Sequence, residues 1–261
     1  MFFKLLLKAV LSFVILFNTM MLPVHAQKST PAFKVIVLYE NGGHHLAYSK
    51  AAIKWLNQLA SKSHFTVDYI QQTDSITSYF LSKYRLFIQL DYPPYGWTKT
   101  ATAAFEDYIQ QGKGGWIGFH HATLLGNFDG YPMWEWFSNF MGNIKFENYI
   151  SSFADGQVQV ENKQHPVMKG VPPVFKIEKE EWYTYNQSPR RQVQVLASVN
   201  ESSYHPQSKV KMGDHPVVWI NPHYKARNVY IFMGHSPLLF GSNAYKTLFS
   251  NAIFWAAGVK Q

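Results

Sequence analysis

The sequence predicts an α/β fold, a mostly parallel sheet with helices on both faces. Two observations predict it. Short apolar runs alternate with segments whose apolar residues recur at helical spacing, the pattern of buried strands joined by crossover helices. Several of those runs also end abruptly in glycine, proline or histidine clusters, as strands do on reaching loops.

Each element can be read in turn. Phe33-Lys34-Val35-Ile36-Val37-Leu38-Tyr39 is a buried first strand, followed by the turn-rich Glu40-Asn41-Gly42-Gly43-His44-His45. Ala51, Ile53, Trp55, Leu56 and Leu59 mark a helix over Tyr48–Leu59. Phe65–Ile70 alternates like a strand, and Tyr84–Leu90 is a second apolar strand ending at Asp91. Thr98 suits the cap of a helix running to Gln111, where Gly112 stops it. Gly115–Phe119 is another strand and runs directly into His120-His121. Beyond Met133 the pattern is less regular. Gln157–Val160, Gln192–Leu196, Val217–Ile220 and Val229–Phe232 are short strands, and Leu248–Ala257 is a closing helix stopped by Gly258. No repeat or linker divides the chain, so one domain is expected over residues 27–261.

Residues 1–26 read as a signal peptide. Lys4 and Lys8 precede an apolar run, and Val24-His25-Ala26 offers the small-x-small pattern of a cleavage site. The apolar core is short of the roughly 20 residues that span a bilayer. A periplasmic or secreted protein is therefore expected, with no stable membrane insertion after cleavage. The chain has no cysteine, which excludes disulfides, cysteine-based zinc sites and cysteine catalysis. The net charge of +8 comes from scattered Lys and Arg. A nucleic-acid partner would need them on one face, so none is expected. Aromatic residues (17%) outnumber charged ones (15%), which favours a carbohydrate or sugar-derived small molecule over a charged polymer.

The chemistry centres on histidine. His45, His120 and His235 each follow a strand or lie in the loop after one. In open α/β sheets ligands sit beyond the carboxyl ends of the strands. If the three strands are neighbours, their imidazoles converge there, and neutral imidazole is the commonest protein ligand for zinc and similar ions. Glu181, in Glu180-Glu181-Trp182-Tyr183, is the favoured carboxylate of a mixed site. A divalent metal, with zinc the candidate, would then be held by His45, His120, Glu181 and His235. His44 and His121 are read as structural residues pointing away. His215, before the strand Val217–Ile220, is a secondary site candidate. Asp91, Asp129, Glu135, Glu180 and Glu181 are the carboxylates in apolar or aromatic settings, and a glycosidase-like pair among them stays open. Other chemistries lack their signatures. There is no Gly-x-Ser-x-Gly elbow. Gly112-Lys113-Gly114-Gly115 lacks phosphate-loop spacing and reads as a turn.

These segments resemble a known family. Gly42-Gly43-His44-His45, Gly114-Gly115-Trp116-Ile117-Gly118-Phe119-His120, Glu181-Trp182-Tyr183, His215-Pro216-Val217-Val218-Trp219, Met233-Gly234-His235 and the closing Asn251–Gly258 are similar, in order, to the trehalose-utilization, or ThuA-like, family. The resemblance implies a class I glutamine amidotransferase-like fold, a flavodoxin-like three-layer sandwich. In amidotransferases the turn after the strand matching Gly115–Phe119 holds a nucleophilic cysteine. Here that position is His120, so amidotransferase chemistry is not expected. The resemblance also implies a divalent metal on that edge, with His45, His120, Glu181 and His235 as the matching residues.

The expected function is thus an exported, metal-dependent enzyme of carbohydrate catabolism acting on a glycoside or keto-sugar. Glu181 or His120, if not a ligand, would transfer protons. Trp97, Trp134, Trp136 and Trp182 would stack on sugar faces, with His215 beside them. The alternative is a non-catalytic sugar-binding protein of a polysaccharide-utilization system, which needs the aromatics but no ligand geometry.

Overall fold

The computed structural model describes residues 32–40 and 42–259. The signal-peptide expectation falls on residues 1–26, outside them. The described residues form one compact unit. Its strands are β1 (Lys34–Tyr39), β2 (Thr66–Ile70), β3 (Leu86–Leu90), β4 (Gly115–Phe119), β5 (Phe146–Tyr149), β6 (Ala154–Val160), β7 (Val174–Glu180), β8 (Tyr183–Tyr185), β9 (Gln194–His205), β10 (Pro216–Ile220) and β11 (Asn228–Ile231). Its helices are α1 (Leu46–Ser63), α2 (Ser78–Leu81), α3 (Lys99–Gln110), α4 (Glu135–Phe140) and α5 (Asn243–Ala257).

One nine-stranded sheet runs β2-β1-β3-β4-β11-β10-β9-β6-β7, and β5 pairs with β8 in a small second sheet. The half from β2 to β11 is parallel. The half from β11 to β7 is antiparallel. Strands β3 and β4 are buried at every position because helices cover both faces. The alternation of side chains along β4 shows the layers. Phe119 meets Phe249 of α5 with ring centroids 4.5 Å apart, while Trp116 meets Phe140 of α4 at 5.0 Å. Trp55 of α1 joins the α5 side, 4.8 Å from Phe249, and Phe105 of α3 joins the α4 side, 5.4 Å from Phe87 of β3.

The helix ends follow the sequence. The Thr98 hydroxyl accepts from the Ala101 N–H, and Ser242 does the same for Tyr245. Gly258 ends α5 at φ 69°, in the left-handed region that glycine enters without strain. Helix α1 begins earlier than its spacing indicated, at Leu46, and α5 earlier, at Asn243.

Register fixes where the functional residues lie. Tyr39 pairs with Leu90, Gln89 with Gly118, and Ile231 with Phe119. Strands β1, β3, β4 and β11 therefore end at one level. The residues leaving them there include Glu40, Asp91 and His120, with Met233-Gly234-His235 just beyond β11.

Candidate metal centre

His120 occupies a tight elbow. It follows β4 directly, opens a 3-10 turn, and holds φ at 35°, a left-handed value that is strained for a non-glycine residue. Hydroxyls pin the turn. Tyr230 and Thr123 both donate to the His120 carbonyl at 3.0 Å, and Thr123 Oγ1 lies 2.7 Å from the Tyr185 hydroxyl. Gly234 passes underneath. A Cβ there would come within 2.8 Å of the His120 Cβ and 2.7 Å of Asp91 Oδ1, so only glycine fits.

His45 and His235 arrive from other segments. His45 ends the 3-10 turn Gly43–His45 that leads into α1. The loop carrying His235 is tied to the core through the Met233 carbonyl, which accepts from the Tyr245 hydroxyl at 3.1 Å. Tyr245 in turn contacts the Tyr48 hydroxyl of α1 at 2.6 Å. Glu180 and Glu181 sit at the corner between β7 and β8. That corner is anchored by Trp182, whose indole donates to the Ala154 carbonyl at 2.7 Å and whose ring stacks on Phe232 at 5.4 Å.

The four residues named from sequence, His45, His120, Glu181 and His235, come together, each offering one donor atom within 4.8 Å of the others. His120 Nε2 lies 3.3 Å from Glu181 Oε2, and His235 Nδ1 lies 3.6 Å from the same oxygen. His235 Nδ1 is 2.9 Å from His45 Nε2. With bonds of about 2.1 Å, two donors on a tetrahedral ion stand about 3.4 Å apart. The observed separations bracket that value. The donor chemistry fits as well: three nitrogens and one carboxylate oxygen suit zinc and its neighbours.

Burial keeps the imidazoles in the ligand form. It drives His120 well below the usual histidine range, with repulsion from His45 and His121 adding to the effect. It also lowers His45, and lowers His235 to about 4. Burial raises the Glu181 carboxyl, opposed by a hydrogen bond from Tyr183.

Two further carboxyls lie below this layer. Glu180 is fully buried. Its Oε1 accepts from the His235 N–H at 3.0 Å and the Glu181 N–H at 3.3 Å, and stands 3.8 Å from His120 Nδ1. Burial lifts it to about 8. Asp91 is fully buried with neither oxygen hydrogen-bonded, and burial raises it far above the carboxylate range.

A cavity of about 330 Å³ opens onto this edge. Glu181, His45, Glu40, His44 and His121 supply its polar wall, while Leu124, Phe128, Phe146, Tyr149 and Tyr183 supply the apolar wall. The sequence suggests other aromatics for this role. Trp182 is buried in the core, and Trp97, Trp134 and Trp136 pack around Phe105 in the helix layer. None of these tryptophans lines the cavity. Nor does His215, which is buried with Nδ1 2.9 Å from Glu201 Oε1 and 3.2 Å from the Tyr204 hydroxyl. His44 and His121, read as pointing away, both line it. His120 is fully buried and does not, whereas Glu181 reaches it. The missed aromatics Phe128, Phe146 and Tyr149 lie in a stretch with weak periodicity. Glu40 and His121 had a usable signal, since each lies next to a strand end at the same level.

The trehalose utilisation family model, ThuA, matches residues 34–256. The chain belongs to this family. Its ThuA membership ties it to carbohydrate utilisation in general. A candidate ThuA-like protein from Bacteroides uniformis shares 31% identity and superposes with a TM-score of 0.78, over 87% of this chain and 92% of that one. A second, from Parabacteroides merdae, shares 18% identity with a TM-score of 0.64, over 89% and 92%. A candidate GMP synthase protein from Thermoplasma acidophilum, with 11% identity and a TM-score of 0.54 over 87% and 94%, shows that the fold is also that of the glutamine amidotransferases. A comparison with curated proteins returned no match. The ThuA chain shares that fold without a cysteine anywhere in its sequence, and carries His120 in the turn after β4.

Proposed function

We propose that this chain is an exported, metal-dependent enzyme of carbohydrate catabolism that acts on a glycoside or keto-sugar. The observation that carries the reading is the convergence of His45, His120, Glu181 and His235 from four separate segments, at ligand spacing, beside a cavity with an aromatic wall. The amino-terminal pattern of residues 1–26 supports export.

A divalent ion held by these residues would supply electrostatic polarisation of a sugar oxygen or of water. His120, His45 and His235 are kept neutral by burial, so their lone pairs are available to it. Glu181 reaches the cavity, so where it is not bound to the ion its carboxyl, raised by burial, would be placed to exchange a proton with substrate. Phe128, Phe146 and Tyr149 line the cavity and would give a sugar an apolar wall to pack against.

The test is an assay of the purified protein on a panel of glycosides and their keto derivatives, before and after chelation. Activity that disappears with the metal and returns on adding it back is expected. If the protein binds sugar equally well without metal and turns nothing over, the non-catalytic sugar-binding reading replaces this one. Amino-terminal sequencing of protein recovered outside the cytoplasm should begin at Gln27.

A further inference from the structure

His45 faces two ways. Its Nε2 lies 2.9 Å from His235 Nδ1 within the four-donor set, while its Nδ1 faces Glu40 Oε2 at 3.8 Å. That second separation is too long for a hydrogen bond. The Nδ1 atom is buried and without a hydrogen-bond partner, in a residue only 3% exposed. Across from it, His121 Nδ1 lies 3.2 Å from the same Glu40 oxygen. Glu40, His45 and His121 thus offer three donor atoms within 4.8 Å of one another, a second group that shares one ring with the first. The 3.2 and 3.8 Å separations again bracket the edge of about 3.4 Å expected for donors on one ion with bonds of about 2.1 Å.

We propose that Glu40, His121 and Nδ1 of His45 form a second divalent-cation subsite, with His45 as an imidazolate bridge between two ions. The proposal rests on the metal reading of the four-residue set and deepens it to a two-ion centre. Forming the bridge releases the remaining ring proton of His45 to solvent. Glu40 brings a full negative charge. Two nitrogens and a carboxylate oxygen suit a zinc-like ion. All three residues line the cavity, so an ion held by them would lie at its wall. One ion could then hold a sugar oxygen while the other activates its partner, a division of labour common in two-metal sites.

Metal-free protein titrated with Zn²⁺, with bound metal counted after dialysis, separates the outcomes. Wild type is expected to hold two equivalents, and Glu40→Gln and His121→Ala one each. One equivalent in wild type overturns the second subsite but leaves the four-residue centre standing. None overturns both. Two equivalents retained by both variants place the second ion elsewhere and overturn the proposal. Circular dichroism confirms that each variant is folded. A zinc-edge anomalous map of the wild-type crystal needs no variant: two peaks flanking the His45 ring are expected, and a single peak overturns the bridge.

Discussion

The two ends of the sheet hold cavities of similar size but opposite character. At the end opposite the histidines, a cavity of about 440 Å³ is lined by Arg85, Lys113, Lys225 and Arg227. It is larger than the histidine cavity, and its basic walls would suit an anion. Its cations are already engaged, however. Arg85 donates to the Ala257 carbonyl at 2.7 Å and Arg227 to the Trp255 carbonyl at 2.9 Å, so both cap the C-terminus of α5. Lys113 pairs with Asp107, and Lys225 donates to Gln111 at 3.2 Å. At the histidine end the polar groups are buried yet unsatisfied: His45 Nδ1, His120 Nδ1, both Asp91 oxygens and Glu180 Oε2 lack hydrogen-bond partners. Unpaired buried groups cost stability, and a fold retains them where they serve a site. The two ends thus differ in unmet polar valence rather than in cavity size, and that difference marks the histidine end as the candidate site.

Substitutions at the two ends should differ in what they break. The largest effect is expected from Glu181→Gln, which keeps the shape but removes the ionisable group: activity should fall by about 100-fold or more, with the thermal midpoint little changed. Assay against the wild-type substrate panel, alongside a melt, checks both halves of that expectation. Gly234→Ala comes next. Its Cβ would collide with Asp91 and the His120 Cβ, costing about 1–3 kcal/mol in denaturant unfolding and lowering metal affinity at the same time. Unchanged stability would mean that the close approach is relaxed in solution. Arg85→Ala, at the other end, should cost about 1 kcal/mol through the lost helix cap and leave metal content and activity untouched. A loss of activity in that variant would break the contrast between the two ends.

The smallest effect concerns pH. In metal-free protein the folded state holds His235 at about 4, below its unfolded value of 6.5, so the unfolded chain binds the extra proton and stability is lost as pH falls from about 6.5 to 4. Glu180 acts in the opposite sense. Its folded value of about 8 lies above the unfolded 4.5, so its contribution is complete below 4.5 and is lost as pH rises toward 8. Between pH 6.5 and 8 the thermal midpoint of wild type should decline, and Glu180→Gln should decline less over the same range. Parallel slopes would show that Glu180 is ionised in the folded protein.

The parallel half of the sheet was legible because strands covered on both faces carry no polar alternation. Val35 to Leu38 is an unbroken apolar run, and Leu86 to Leu90 is interrupted only by Gln89, buried with its amide donating to the Tyr92 carbonyl at 2.7 Å. The antiparallel half was harder to read. Strand β7 turns Lys176, Glu178 and Lys179 to solvent, and β9 extends to His205 through the polar stretch Asn200-Glu201-Ser202-Ser203, well past Leu196 where its apolar run ends. Such strands are specified by pairing with neighbours distant in sequence. The same distinction governs the site. His45, His120 and His235 could be found because strand ends in an open α/β sheet predict where their side chains gather. Glu40 and His121 share that position, but spacing does not report which way a loop residue turns. The tryptophans failed for a related reason: aromatic composition says nothing about which rings face solvent, and Trp182 is fully buried.

Metal binding at the four-residue centre is the claim on which the rest depends. Calorimetric titration of Zn²⁺ into metal-free wild type and into His120→Ala measures it most directly. Tight binding in wild type, weakened by about 100-fold or more in a folded His120→Ala, is the predicted result. Equal affinities in the two proteins, or no binding in either, would contradict it.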